Sequence, residues 1–330
     1  MPGLKKTRTY VADLRENQCV DEVFLVLSRS VRHTRSGNPF LALELGDRTG
    51  RIQARVWDNV DAVKVSAAVD RFVRVQGQVG MFNDTLQINV GALETVADES
   101  VDLADFLPAS RRDPEAMETE LRALLERVAT PHLRALNESF FEDPEFWSLF
   151  RKAPAAKMIH HATLGGLLEH TLSVAGLCLD IAARYAHLDA DLLLTGALLH
   201  DVGKTRELFW NRRFDYTDEG RLIGHIVLGA EMVTERARRV EGFPAETLLV
   251  LRHMILSHHG QYEWGSPKRP QTMEALALHY ADDLDGKLNT FREFLRSEDE
   301  RDPESRWTSY HRTLDRHLFK GTRPAGEGGE

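Results

Sequence analysis

Leu198-Leu199-His200-Asp201-Val202-Gly203-Lys204 runs from an apolar stretch straight into an imidazole, a carboxylate, a glycine and a lysine. Apolar helix residues pack, whereas adjacent His and Asp at a helix end suit a metal ion or a shared proton. Further candidate ligands are His170, His225, His258, His259, Asp282 and Asp283. Nitrogen and oxygen donors without cysteine suit Zn, Mn, Fe or Mg rather than a thiolate site. The 30 residues from His170 to His200 let one helix run out, turn and return, bringing both imidazoles to one point of a helical bundle. Asp201 is the natural bridge, since a carboxylate can offer one oxygen to each of two cations. Two cations about 4 Å apart can clamp the attacking and leaving oxygens of a phosphoryl transfer.

At 330 residues the chain is long enough for two cores. No apolar run approaches the length that spans a bilayer, so no membrane partner is expected. Met1 to Tyr10 is basic and polar without an apolar core, and no signal peptide is expected. Cys19 and Cys178 lie far apart and read as two buried free thiols in a reducing cytosol, hence a cytoplasmic protein. The net charge of −9 is uneven. Residues 1–95 carry 13 Lys/Arg against 11 Asp/Glu, and the remainder 29 against 40. An acidic chain is no generic nucleic-acid binder, but its first part can still present a local basic surface.

That first part reads as β. Val23, Leu25 and Leu27 alternate with their neighbours, as do Leu41, Leu43 and Leu45, then Ile52, Ala54 and Val56, then Phe72, Val73 and Val75, then Leu86, Ile88 and Val90. Turn signals separate the runs: Ser36-Gly37-Asn38-Pro39, Asp47-Arg48-Thr49-Gly50 and Asn83-Asp84. Five short strands in so few residues predict a small closed barrel. Asp113-Pro114 reads as a helix start, with Asp as cap and Pro at the first helical position. Beyond it the apolar spacing is helical throughout, in Leu121, Leu124, Leu125 and Val128, in Leu164, Leu167, Leu168 and Leu172, and in Leu192, Leu193, Ala197 and Leu198, with no convincing strand after residue 114. Residues 321–330, Gly-rich and polar, read as a disordered tail.

The ordered set His170, His200-Asp201, Asp282 resembles the ligand pattern of the HD superfamily of metal-dependent phosphohydrolases, and His225 and His258 look like the second-metal ligands of its dinuclear members. The resemblance implies one ion held by His170, His200, Asp201 and Asp282, and another by Asp201, His225 and His258. His258 is favoured over His259 by position, with His259 as a supplementary or supporting group. Asp282 is favoured over Asp283 because it precedes a Leu-Asp pair, here Leu284-Asp285, as the family's terminal aspartate does. Lys204 matches the lysine of the extended motif and would stabilise charge on phosphate oxygens; the alternative is a solvated helix-end lysine. His225 has an alternative as a core histidine at a helix start. His253 and His279 read as structural. Of His160-His161, one, with His161 the candidate, is expected to face the site and touch substrate.

Residues 36–57, from Ser36-Gly37-Asn38-Pro39-Phe40 to Arg55-Val56-Trp57, resemble strands one to three of an OB-fold of the anticodon-binding type. Such folds hold single strands by stacking bases on aromatics in a cation-lined groove. Arg35, Phe40, Arg55 and Trp57 are the candidate strand-binding residues. Trp57 and Arg55 share a face opposite Ile52 and Val56, with solvated arginines and core aromatics as the alternative. Phe72 reads as core.

An OB-fold followed by a dinuclear-type HD domain resembles the YhaM-type 3′→5′ exoribonucleases of bacteria. The resemblance includes Gly224-His225-Ile226, Ser257-His258-His259-Gly260 and His279-Tyr280-Ala281-Asp282. It implies a multidomain α+β chain: an N-terminal five-stranded OB-fold β-barrel (1–95), an acidic linker with connecting helices (96–155), and an all-α HD-type domain (156–320). It implies two divalent metal ions, Mn²⁺ foremost, with Fe, Ni, Mg, Zn or Co also accepted by such ligands. It also implies single-stranded RNA or DNA as the partner and nucleoside 5′-monophosphates as the products. A phosphohydrolase of free or cyclic nucleotides, and a non-catalytic binding module, stay open as alternatives. Oligomeric state is not legible.

Overall fold

The computed structural model of the protein describes residues 8–157 and 162–321. The chain forms two compact units, Met1–Ala109 with Asn211–Arg213, and Ser110–Trp210 with Phe214–Glu330.

The first unit is a closed five-stranded barrel in the order β1-β2-β3-β5-β4. Its strands are β1 (Cys19–His33), β2 (Pro39–Asp47), β3 (Gly50–Val56), β4 (Phe72–Phe82) and β5 (Thr85–Thr95), with helix α1 (Val60–Ser66) between β3 and β4. β1 serves two neighbours: residues 19–25 pair with β4, residues 25–33 with β2, and a bulge lies between Val26 and Ser28. Parallel pairing of β3 with β5, Gln53 to Gln87 through Val56 to Val90, completes the closure. The interior holds Phe24, Val26, Leu41, Leu43, Leu45, Ile52, Val73 and Ile88 among others. Each such side chain stabilises the fold by about 1.5–3 kcal/mol through burial.

Two sequence expectations change here. The run Val23, Leu25, Leu27 does not face the barrel interior, which takes Val20, Phe24 and Val26 instead. Leu25, with Val23 and Leu27 beside it, lies in a second cluster with Phe72, Phe106, Val96, Val101 and Leu103. Residues 96–109, expected to be linker, therefore cover an apolar outer face of the barrel. Phe72 is buried as expected, but against Phe106, with ring centroids 4.6 Å apart.

The second unit is helical: α2 (Pro114–Arg127), α3 (Pro131–Phe141), α4 (Pro144–Phe150), α5 (Gly166–Arg184), α6 (Ala190–Leu199), α7 (Lys204–Glu207), α8 (Asp218–Leu222), α9 (His225–Ala237), α10 (Ala245–Ser257) and α11 (Met273–Arg301). Asp113 caps α2 by accepting from the Ala116 amide at 3.2 Å, with Pro114 at the first position. Thr272 caps α11 in the same way through Ala275. The unit is helical as expected, but the reading of no strand after residue 114 fails at one point: a two-stranded ribbon, β6 (Leu208–Phe209) with β7 (Asp215–Tyr216), follows α7. Runs of two residues carry no periodicity to read. α5 also amends the membrane reading, since it is long and apolar enough to span a bilayer by length and composition. Just over half of that stretch, 56%, is buried: Leu167, Leu168, Leu172, Val174 and Ala175 pack inside the unit, where α5 meets α6 and α11.

Candidate metal centre

The site is assembled from helix ends and two helix middles. His200 follows the last residue of α6, and His258 follows the last residue of α10. Both solve the same local problem. The final carbonyls of a helix have no intrahelical partner. The His200 ring donates from Nδ1 to the Ala197 carbonyl at 2.8 Å, and the His258 ring does so to the Ile255 carbonyl at 2.7 Å. Each bond satisfies a helix-end carbonyl and fixes the tautomer that leaves Nε2 with its lone pair outward. His170 and Asp282 come from the middles of α5 and α11, which pack together. His225 is the first residue of α9.

Two nests share Asp201. Around the first, His170 Nε2 lies 3.3 Å from His200 Nε2, 3.5 Å from Asp201 Oδ2 and 3.2 Å from Asp282 Oδ1. His200 Nε2 is 3.3 Å from Asp201 Oδ2. Around the second, Asp201 Oδ1 is 3.6 Å from His225 Nε2 and 3.7 Å from His258 Nε2. Ligand atoms of His225, His258 and His259 also lie within 4.8 Å of one another. Asp201 Oδ1, His225 Nε2 and His258 Nε2 are buried without a hydrogen-bond partner among the described residues. Buried acceptors are nearly always satisfied, so three unpartnered ones converging on one spot fit a cation. The donor set of imidazole nitrogen and carboxylate oxygen fits a divalent transition ion.

Carboxylates outside the nests hold the rings. Asp285 Oδ2 accepts from His170 Nδ1 at 2.7 Å, and Glu207 Oε1 accepts from His225 Nδ1 at 2.9 Å. Burial disfavours the charged His170 ring, but hydrogen bonds with Asp282 and Asp285 outweigh it and raise its pKa to about 9. Burial pushes the His258 and His259 rings down, keeping them neutral and ready to ligate. Burial opposes ionisation of Asp201, yet the Lys204 ammonium and His200 hold it well below the usual carboxylate range. Lys204 Nζ donates to Asp201 Oδ2 at 2.6 Å, and Asp201 in turn keeps that buried ammonium charged. Gly203 is required by a close approach: a β-carbon there would stand 2.1 Å from the His225 carbonyl oxygen and 2.6 Å from the Gly229 nitrogen.

On the barrel, the outward residues of β3 alternate with its buried ones, so Arg55 and Trp57 stand opposite Ile52, Ala54 and Val56. Trp57 meets Phe40, with ring centroids 4.8 Å apart and 32° between planes. The Arg55 guanidinium lies 5.9 Å from the Phe40 ring centre. Burial, then the charge of Arg32, lowers the Arg55 pKa, which marks a second cation near the patch. Arg35 stands exposed on the turn between β1 and β2.

Residues 167–287 match the HD domain family, and residues 26–96 match the OB-fold nucleic acid binding domain family. Over 273 residues the chain is 36% identical to the 3′-5′ exoribonuclease YhaM of Bacillus subtilis, covering 82% of this chain and 85% of that protein. The same-named protein of Bacillus velezensis is 37% identical with the same coverage, and that of Shouchella clausii is 34% identical over 83% and 86%. The chain belongs to the YhaM family. Within this member, His170, His200, Asp201 and Asp282 come together at one nest, and His225, His258 and His259 at the other. Asp283 instead pairs with Lys287 at 2.6 Å. His279 donates to the His258 carbonyl at 2.7 Å, and His253 accepts from the Gln271 amide at 2.8 Å, both structural tasks. The expectations for His160, His161 and residues 322–330 lie outside the described residues. Cys178 is buried and Cys19 exposed, so the expectation of two buried thiols fails at Cys19. Sequence reasoning passed over Glu207 and treated Asp285 only as a landmark. Asp285 had a signal, since it lies three residues after Asp282 on the same helix. Glu207 had none, being tied to His225 only by the fold.

Proposed function

We propose that this member of the YhaM family is a metal-dependent 3′→5′ exoribonuclease that works through two divalent ions, Mn²⁺ foremost, and releases nucleoside 5′-monophosphates. The observation that carries the reading is the orientation of Asp201, with Oδ2 toward His170 and His200 and Oδ1 toward His225 and His258. Divalent ions bound there would polarise a phosphoryl oxygen and lower the pKa of a water near neutrality. The chain's own residues do the rest. Nδ1 hydrogen bonds to Ala197, Ile255, Glu207 and Asp285 hold four rings in the ligating tautomer. Lys204, beside Asp201, is placed to neutralise charge developing on the phosphate. In the barrel, Phe40 and Trp57 offer stacking faces, and Arg55 offers a cation for a single strand. Arg35 on the β1–β2 turn is assigned the same cationic role. Cysteines without disulfide partners suit a reducing compartment, and we place the protein in the cytoplasm.

The test is a time course on 3′- and 5′-labelled single-stranded RNA and DNA with Mn²⁺, Mg²⁺, Ni²⁺ or chelator. A 3′ label should leave at once as mononucleotide, a 5′ label should descend a ladder, and chelator should stop both. Asp201→Ala should abolish turnover while strand binding by fluorescence anisotropy stays within about twofold, because the substitution leaves the barrel's stacking and cationic contacts untouched. Wild-type rates from Asp201→Ala would overturn the assignment.

A further inference from the structure

A cavity of about 340 Å³ opens on the metal nests, and its lining mixes two chemistries. His170, Asp201, His258 and Asp282 contribute ligand atoms. Trp264, Lys287, Thr313 and Leu314 also line it and have no part in holding ions. Trp264 is the only tryptophan on that lining and is 52% exposed. Its backbone is fixed. It ends a 3₁₀ turn, Tyr262–Trp264, closed by Gly265 at φ +82°, and its carbonyl accepts from His259 Nδ1 at 3.0 Å. Its ring is flanked too. Lys287 Nζ lies 5.4 Å from the ring centre and is held by Asp283 Oδ2 at 2.6 Å. The indole is thus held on the wall of the cavity through a histidine of the second nest, with part of its face open.

We propose that Trp264 is the stacking platform for the base of the 3′-terminal nucleotide. The inference rests on the exonuclease reading and adds the subsite that reads the leaving nucleotide. The cavity is at the small end of ligand pockets, roughly 300–1,000 Å³. Its volume is of the order of one nucleotide, and a phosphodiester held by Lys204 and by ions at Asp201 and Asp282 would bring its terminal base into the volume that Trp264 lines. Stacking tolerates any base, because each has a π-face. The subsite therefore asks for a base without choosing which.

The experiment compares a single-stranded oligoribonucleotide ending in a normal nucleotide with one ending in an abasic ribose. Wild type, Trp264→Ala and Trp264→Phe are each checked for metal content. Wild type should prefer the base-bearing end about tenfold in kcat/KM, the scale of one base–aromatic stack. Trp264→Ala should cut both ends at the abasic rate, and Trp264→Phe should recover most of the preference. Adenosine 5′-monophosphate, titrated by intrinsic fluorescence, should bind about tenfold more weakly to Trp264→Ala. A Trp264→Ala enzyme that keeps the wild-type preference would overturn the stacking assignment alone. Failure of wild type to shorten any strand, with metal bound, would overturn the exonuclease reading instead.

Discussion

Glu207 grips His225 at two points, its Oε1 accepting from the ring Nδ1 at 2.9 Å and from the backbone N–H at 3.0 Å. Burial works against ionisation of Glu207, but the His225 bonds outweigh it and lower its pKa, so the carboxylate stays charged. One carboxylate thus sets both the start of α9 and the direction of the ring toward Asp201. Carboxylate partners of ligating histidines are typically worth 10–100-fold in metal affinity. Glu207→Gln should therefore lose about that factor at the second nest and leave the first unchanged. Metal analysis after dialysis should fall from two ions per chain toward one.

Gly203 tests the packing behind the same nest. A methyl group there would overlap the His225 carbonyl oxygen and the Gly229 nitrogen, both backbone atoms that cannot rotate away. Gly203→Ala should destabilise the protein by about 1–3 kcal/mol, the usual range for overpacking, visible as a lower urea midpoint. It should also weaken metal binding, since relief requires α9 to move.

His170 predicts a pH dependence. Its folded pKa, about 9, lies above the ordinary value of 6.5. In metal-stripped protein a raised pKa contributes stability fully below pH 6.5, and that contribution is lost as pH rises through 9. Metal uptake runs the other way, because the ion must displace the proton from Nε2. Affinity at the first nest should rise about tenfold per pH unit through neutrality and level off above pH 9. Calorimetry in buffers of different ionisation enthalpy should register about one proton released.

The thiols give a test of burial. Cys178 is 1% exposed, and burial pushes its pKa up to about 12. Cys19 is exposed. Iodoacetamide at pH 8 should add one carbamidomethyl group to native protein, on Cys19, and two in denaturant, read by peptide mass.

The histidines that converge on the two nests were legible because their types and order are chemical facts of the chain. The barrel strands were legible where inward and outward residues alternate, most plainly in β3, with Ile52, Ala54 and Val56 buried. β1 was not, because it is apolar on both faces: Phe24 and Val26 point inward while Val23, Leu25 and Leu27 meet a second cluster, so period two could not say which set was core. Glu207 was hidden for a different reason. Its partner lies 18 residues away across a ribbon too short to read. Trp264, Thr313 and Leu314 reach the cavity only through tertiary folding, which no local pattern encodes.

The contact of Phe106 with Phe72 has a practical side for anyone dissecting the chain. A fragment cut at residue 95, where the last strand ends, would strip the cover from Leu25 and Phe72 and offer a greasy flank to its neighbours in solution. One carried through Ala109 keeps that flank sheathed. The natural seam for expressing the barrel alone is therefore after the short 3₁₀ turns Asp98–Ser100 and Leu103–Asp105, some fourteen residues beyond the point at which the strands run out.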